Sequence, residues 1–469
     1  MRFRIVVCAV FLALPSSGFA QAERYELGRR MKTFEREWER ADAHGRKRGL
    51  KMIHQATRQF LTFQLSAAAR TLDESTLALA DNNAITDADL WAYSLAVLPK
   101  TRLMDASVKS LAITVKADYS TTDLPEDAIL SVLSALPRAE APIRKLPLKL
   151  EFTLPPPFPA GSNDERLSVQ IIAGGHVLLR EIGISRVENL TKRLTALQTA
   201  TRTLPAMPTI EQATAAERAT LLTNLVAGEV FETDYPAARL LDEAETMIAP
   251  NAKPFFTAEN PGLHWLTVLT AGKTATACRL FVPKGLDAKT PVPIVVGLHG
   301  MGGSENLFVE GYGAGCVAKA CEKRGWLMLS PRSGLGFLGS PPPVAAIVEK
   351  LAERYPIDRN RVFLIGHSMG AAQAVDLAQK TPGKFAGLAV LGGGGRVRTA
   401  EPFKMLPTFI GVGSEDFALS GARSLRDALQ RGGAQATTFR EYAGIEHMVI
   451  VRTAVDDVFA SFDRVAKGK

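Results

Sequence analysis

Ser368 stands in Gly366-His367-Ser368-Met369-Gly370, a G-x-S-x-G at a strand-to-helix corner. Before it, Arg361 to Ile365 is rich in branched and large apolar side chains; after it, Met369 to Lys380 is an apolar helical pattern that Pro382 and Gly383 stop. A serine hydroxyl is a poor nucleophile until a base takes its proton. The corner therefore demands a histidine, and only His447 follows Ser368 in the chain. A buried carboxylate must hold that imidazole in the right tautomer. Asp416 is the candidate, reached from the apolar run Thr408 to Val412 through Gly413-Ser414-Glu415. Glu415 is its rival, whereas Asp376 and Asp427 fall on helical patterns facing elsewhere. The chain order Ser, Asp, His belongs to one hydrolase architecture and differs from those of chymotrypsin and subtilisin.

Acyl transfer through such a serine also needs donors aimed at an oxyanion. The Met369 amide, at the start of the helix, is one. The loop His299-Gly300-Met301-Gly302-Gly303-Ser304 follows the apolar run Ile294 to Leu298 and offers the other, the Met301 amide first and that of Gly300 next. His299 is read as shaping this loop. The loop lacks the lysine that a phosphate-cradling Walker loop requires.

These residues must be carried by a sheet, and beyond residue 262 the pattern alternates between β and α segments as a largely parallel sheet with helices on both faces does. Strands are expected near 276–283, 293–298, 326–330, 361–365, 386–391, 407–412 and 437–442. Residues 21–250 read differently. Leu27, Met31, Phe34 and Trp38 form one apolar stripe of a helix, and Thr86 with Asp89 caps another that runs to Pro99. Leu111 to Tyr119 alternates as a strand, and a helix is expected from Pro125 to Pro137. Gly174-Gly175 separates two β-rich runs as a hairpin would, and helices follow at about 187–204, 210–228, capped by Thr209 and Gln212, and 236–249. Pro254, Pro261 and Gly262 mark residues 251–262 as a linker. The expected organisation is a leader at 1–20, a separate mixed helical and β domain at 21–250, the linker, and an α/β catalytic domain at 263–469. A fragment starting near Phe255 is expected to keep the chemistry. No long insertion between Ser368 and Asp416 supplies a cap, so the first half is the expected source of any roof over the substrate.

The motifs HGMGGSEN, YPIDRNRVFLIGHSMG, GVGSED and GIEH make residues 275–465 resemble the α/β-hydrolase superfamily, in the secreted esterase branch near polyhydroxybutyrate depolymerases, feruloyl esterases and dienelactone-hydrolase-like predicted peptidases. Ala371 stands where many of that branch carry a further glycine. The resemblance implies an α/β-hydrolase fold and a serine hydrolase cleaving carboxylic esters through an acyl-enzyme, without metal or cofactor. A peptidase of the prolyl-oligopeptidase type would use the same residues. A binding module on a decayed hydrolase scaffold is the alternative from another class, and the intact Ser368, Asp416 and His447 argue against it.

At 469 residues, 46% hydrophobic, the chain is long enough for two or three globular domains. Arg2 and Arg4, the apolar run Ile5 to Leu14 and Ser-Ser-Gly-Phe-Ala read as a secretory signal peptide cleaved near Ala20, which predicts a secreted or periplasmic protein without a stable membrane anchor. The net charge of +8 is modest. Basic residues cluster at 24–51, but the interleaved Glu26, Glu35, Glu37 and Glu39 indicate a solvated helix face and not a nucleic-acid surface. Cys278, Cys316 and Cys321 remain after cleavage, with no metal-ligand spacing. Ester turnover is expected to fall as pH drops through about 6 to 7 and to ignore chelators. The expected partner is a small or polymeric ester.

Overall fold

The computed structural model describes residues 18–80, 85–122, 124–157, 161–270, 275–334 and 341–467. Residues 1–17 of the leader read at 1–20 lie outside them, while residues 18–20 open the first helix.

An eight-stranded sheet carries the C-terminal half. Its strands are β1 (Gly262–Leu269), β2 (Ala275–Val282), β3 (Val292–Leu298), β4 (Leu327–Pro331), β5 (Ile357–His367), β6 (Gly387–Leu391), β7 (Thr408–Gly413) and β8 (Thr437–Tyr442). Their order across the sheet is 8-7-6-5-3-4-2-1. β1 and β2 pair antiparallel, β2 meets β4 antiparallel, and every pair from β4 through β3 to β8 is parallel. β3, β4, β6, β7 and the C-terminal part of β5 are buried on both faces, which is why they read as continuous apolar runs, whereas the edge strand β8 alternates between half-buried and exposed residues. Strand β1 was not expected; it falls where the linker was read to end, and it exists because Leu266 and Val268 point into the core.

In the first half, α1 (Gly18–Arg40), α2 (Ala43–Leu61) and α3 (Leu65–Ala80) pack together through Leu27, Phe34, Trp38, Ile53 and Leu72. The Thr86 and Asp89 capping box is present, but its helix stops at Ser94 and the chain continues as a strand to Pro99. The helix expected from Pro125 does not form. Ile129–Val132 is instead a strand between Ala139–Pro142 and Asn163–Ala173, because Leu130 and Val132 gain more by burial in a sheet core than a short isolated helix could return. The Gly174-Gly175 hairpin is formed, with Ala173 opposite His176. A three-stranded and a five-stranded sheet enclose that core.

The two halves share buried surface. Ile210, Met247 and Phe256 belong to the apolar core on one face of the eight-stranded sheet, and Phe256, inside the stretch read as a linker, is fully buried. Val449, just after His447, packs with α1–α3.

Candidate active site

β5 ends at His367, and a helix, α4 (Met369–Lys380), starts one residue later. Ser368 occupies that single residue at φ 57°, ψ −117°, a conformation that a side-chain-bearing residue adopts only under strain. The flanking glycines are required by close approach. A Cβ on Gly366 would lie 2.2 Å from the Gly370 carbonyl oxygen, and one on Gly370 would lie 1.9 Å from that of Leu298. The corner is thereby pressed against the end of β3.

His447 Nδ1 lies 2.9 Å from Asp416 Oδ1, and both side chains are buried. The carboxylate accepts the Nδ1 proton, which leaves Nε2 free to take another. Burial alone would raise the Asp416 carboxyl. The His447 hydrogen bond and charge, with the Ala418 amide, outweigh burial and hold it below the usual carboxylate range. Glu415 is exposed, and its carboxylate accepts from Ser414 Oγ at 3.4 Å. Ser368 and His447 line one cavity, although the serine hydroxyl makes no hydrogen bond to the ring in this structure.

The oxyanion-loop expectations divide. Among the described residues the Met369 and Met301 amides make no protein hydrogen bond; Met301 lines the same cavity as Ser368, and Met369 follows the serine directly in the chain. The Gly300 amide is not available: it donates to Tyr312 Oη at 3.2 Å. Tyr312 Oη in turn lies 2.7 Å from His367 Nδ1, and His367 Nε2 lies 3.0 Å from the His447 carbonyl. Only one tautomer satisfies this chain. Nε2 of His367 donates to His447, and Nδ1 accepts from Tyr312. Burial, then the neighbouring His447, pushes His367 down to about 3, so the ring stays neutral at neutral pH. His299 is also tied to backbone, with Nδ1 2.9 Å from the Gly300 carbonyl and Nε2 accepting from the Ser333 amide at 3.0 Å. It shapes the loop.

Three contacts from the first half reach this centre, and no local pattern announces them. Arg24 in α1 donates to the Gly302 carbonyl. The Phe60 ring in α2 lies over Gly302, where a Cβ would come within 2.7 Å of it. Thr57 Oγ1 donates to the buried Glu446 at 2.9 Å, and Glu446 also accepts the Met448 amide, so the loop carrying His447 is pinned to α2.

The family model for serine aminopeptidases of the S33 type matches residues 343–406. That segment contains the strained corner at the end of β5, within a sheet of order 1-2-4-3-5-6-7-8. The fold is that of an α/β-hydrolase, and the matched segment is of the serine hydrolase type. A comparison with curated proteins finds no match. Solved structures similar to parts of this hydrolase include the feruloyl esterase module of Clostridium thermocellum, at 15% identity and TM-score 0.37, covering 45% of this chain and 92% of that one. A thermostable esterase aligns at 16% identity and TM-score 0.39, covering 78% of this chain and 99% of its own. An S-formylglutathione hydrolase from Agrobacterium tumefaciens aligns at 17% identity and TM-score 0.35, covering 44% and 96%. Among the described residues of the hydrolase no group of histidine, cysteine and acidic side chains is arranged to hold a metal ion. Cys278, Cys316 and Cys321 are buried free thiols, each pushed up by burial.

Proposed function

We propose that the protein hydrolyses carboxylic esters through an acyl-enzyme on Ser368. His447 Nε2 takes the hydroxyl proton as Oγ attacks the ester carbonyl, while Asp416 stabilises the imidazolium. The amides of Met369 and Met301 receive the negative charge that develops on the carbonyl oxygen. Collapse expels the alcohol, which leaves with the proton from His447. A water molecule then gives its proton to His447, attacks the acyl carbon and releases the acid and the free serine. The buried Asp416–His447 hydrogen bond, with His447 and the strained Ser368 lining one cavity, is the observation that carries this reading. The expected leader makes the site of action secreted or periplasmic.

The test is Ser368→Ala. Its kcat on a p-nitrophenyl ester is expected to fall by about four to six orders of magnitude with the fold intact, because such residues act as a unit. Labelling by a fluorophosphonate should disappear with it. Full labelling of the variant would place the nucleophile elsewhere. The matched family's name motivates a peptidase reading. A chromogenic peptide turned over faster than every ester would establish it.

A further inference from the structure

The cavity over Ser368 has about 200 Å³ of room and two unlike walls. One is the hydrolase loop from Gly300 to Ser304, with Tyr312 and His447. The other is built wholly by the first half and is apolar: Leu27 and Met31 from α1, Ile53, Ala56 and Phe60 from α2, Leu72 from α3. The charged groups on this wall are matched. Arg24 is spent on Gly302, Lys32 lies 3.6 Å from Glu310, and Glu232 receives Asn306. A free peptide amino terminus would find no unmatched carboxylate here at neutral pH, since burial pushes Glu35 up to about 8.

We infer that α1–α3 form the acyl-binding chamber of the enzyme and that its substrates are esters of medium-chain aliphatic or arylalkyl carboxylic acids. The inference rests on the ester-hydrolase reading above. The leaving alcohol must lie against His447, which protonates it, and the exposed Phe417 ring, tilted with its centroid 4.3 Å from that of His447, marks that side as open. The acyl group is left with the apolar side that α1–α3 build. An apolar cavity of about 150 Å³ takes a benzene ring, so this one accommodates a ring with a short linker or a chain of about six to eight carbons. Burying one methylene changes binding by about fourfold.

The experiment is a series of p-nitrophenyl esters from acetate to dodecanoate, run on the full chain and on Ala56→Leu and Met31→Phe, which fill the chamber from different helices. In the unaltered protein kcat/KM should rise about fourfold per methylene to an optimum at about six to eight carbons and then fall. In either folded variant the optimum should move to shorter chains, with the octanoate-to-acetate ratio down about tenfold or more. An optimum at acetate in the unaltered protein would overturn the chamber, as would an unchanged ratio in a folded variant. If esters are turned over and Ser368 is labelled by fluorophosphonate, that failure concerns the chamber alone. No ester turnover together with an unlabelled Ser368 would overturn the parent reading as well.

Discussion

Glu35, on α1, is buried against the segment that leads into the helix after Tyr312, and its replacement by glutamine tests how the roof is held. Burial raises its carboxyl from 4.5 to about 8, against the pull of the Gly313 and Ala314 amides, which it accepts, and of Arg452. Arg452 is itself paired with Glu39 at 2.6 Å. A carboxyl with a raised folded value keeps a proton that the unfolded chain has already released, so its ionisation costs stability as pH rises. The loss begins near pH 4.5, grows to about pH 8 and is constant above that. At 1.36 kcal/mol per pH unit it reaches roughly 5 kcal/mol. Glutamine keeps the amide bonds and cannot ionise. In Glu35→Gln, thermal melts should therefore match the unaltered protein at pH 5. By pH 9 the variant should melt higher by roughly 10 °C, at about 2 °C per kcal/mol for a large domain. Melting curves recorded at each pH from 5 to 9 give the comparison directly. Parallel profiles would show that Glu35 is ionised without penalty, and the reasoning from burial would fail.

Gly370→Ala drives a Cβ against the Leu298 carbonyl, a backbone atom that cannot step aside. We expect a loss of about 3 kcal/mol or more, visible in urea titration, together with loss of activity. Thr57→Val strips the buried Glu446 of its hydroxyl donor. It should cost about 1–3 kcal/mol and lower kcat on esters of every acyl length, because the slackened element is the His447 loop and not the chamber. An effect confined to long acyl chains would contradict that assignment.

The sequence-readable parts of this molecule are those whose signals are local. The strained corner at Ser368 announces itself by glycines two residues away on either side, and the Thr86 and Thr209 capping boxes by partners three residues on. His447 stands out by exclusion, as the one histidine after the serine, and the structure seats it on Asp416. What escaped reading is non-local. The Gly300 amide is claimed by Tyr312, twelve residues away, whose role follows from His367 and from no spacing rule. Strand 129–132 hides because Pro125 and the short apolar run fit a helix equally well until the sheet beside it is known. The α1 stripe reads the same whether it packs on its own domain or over a catalytic serine. No local pattern records that Arg24, Thr57 and Phe60 face residues some 240 to 390 positions later.

That last separation has a consequence for how the protein is made. Thr57 and its partner Glu446 are 389 residues apart, and α2 emerges from the ribosome long before the loop it pins. At about 5–20 residues per second, α2 waits roughly 20 to 80 s for its counterpart. Through that interval the apolar wall of Leu27, Met31, Ile53 and Phe60 has nothing to cover. The active site is therefore the last region to assemble, and the nascent chain is exposed to aggregation on the surface that later accepts the acyl group.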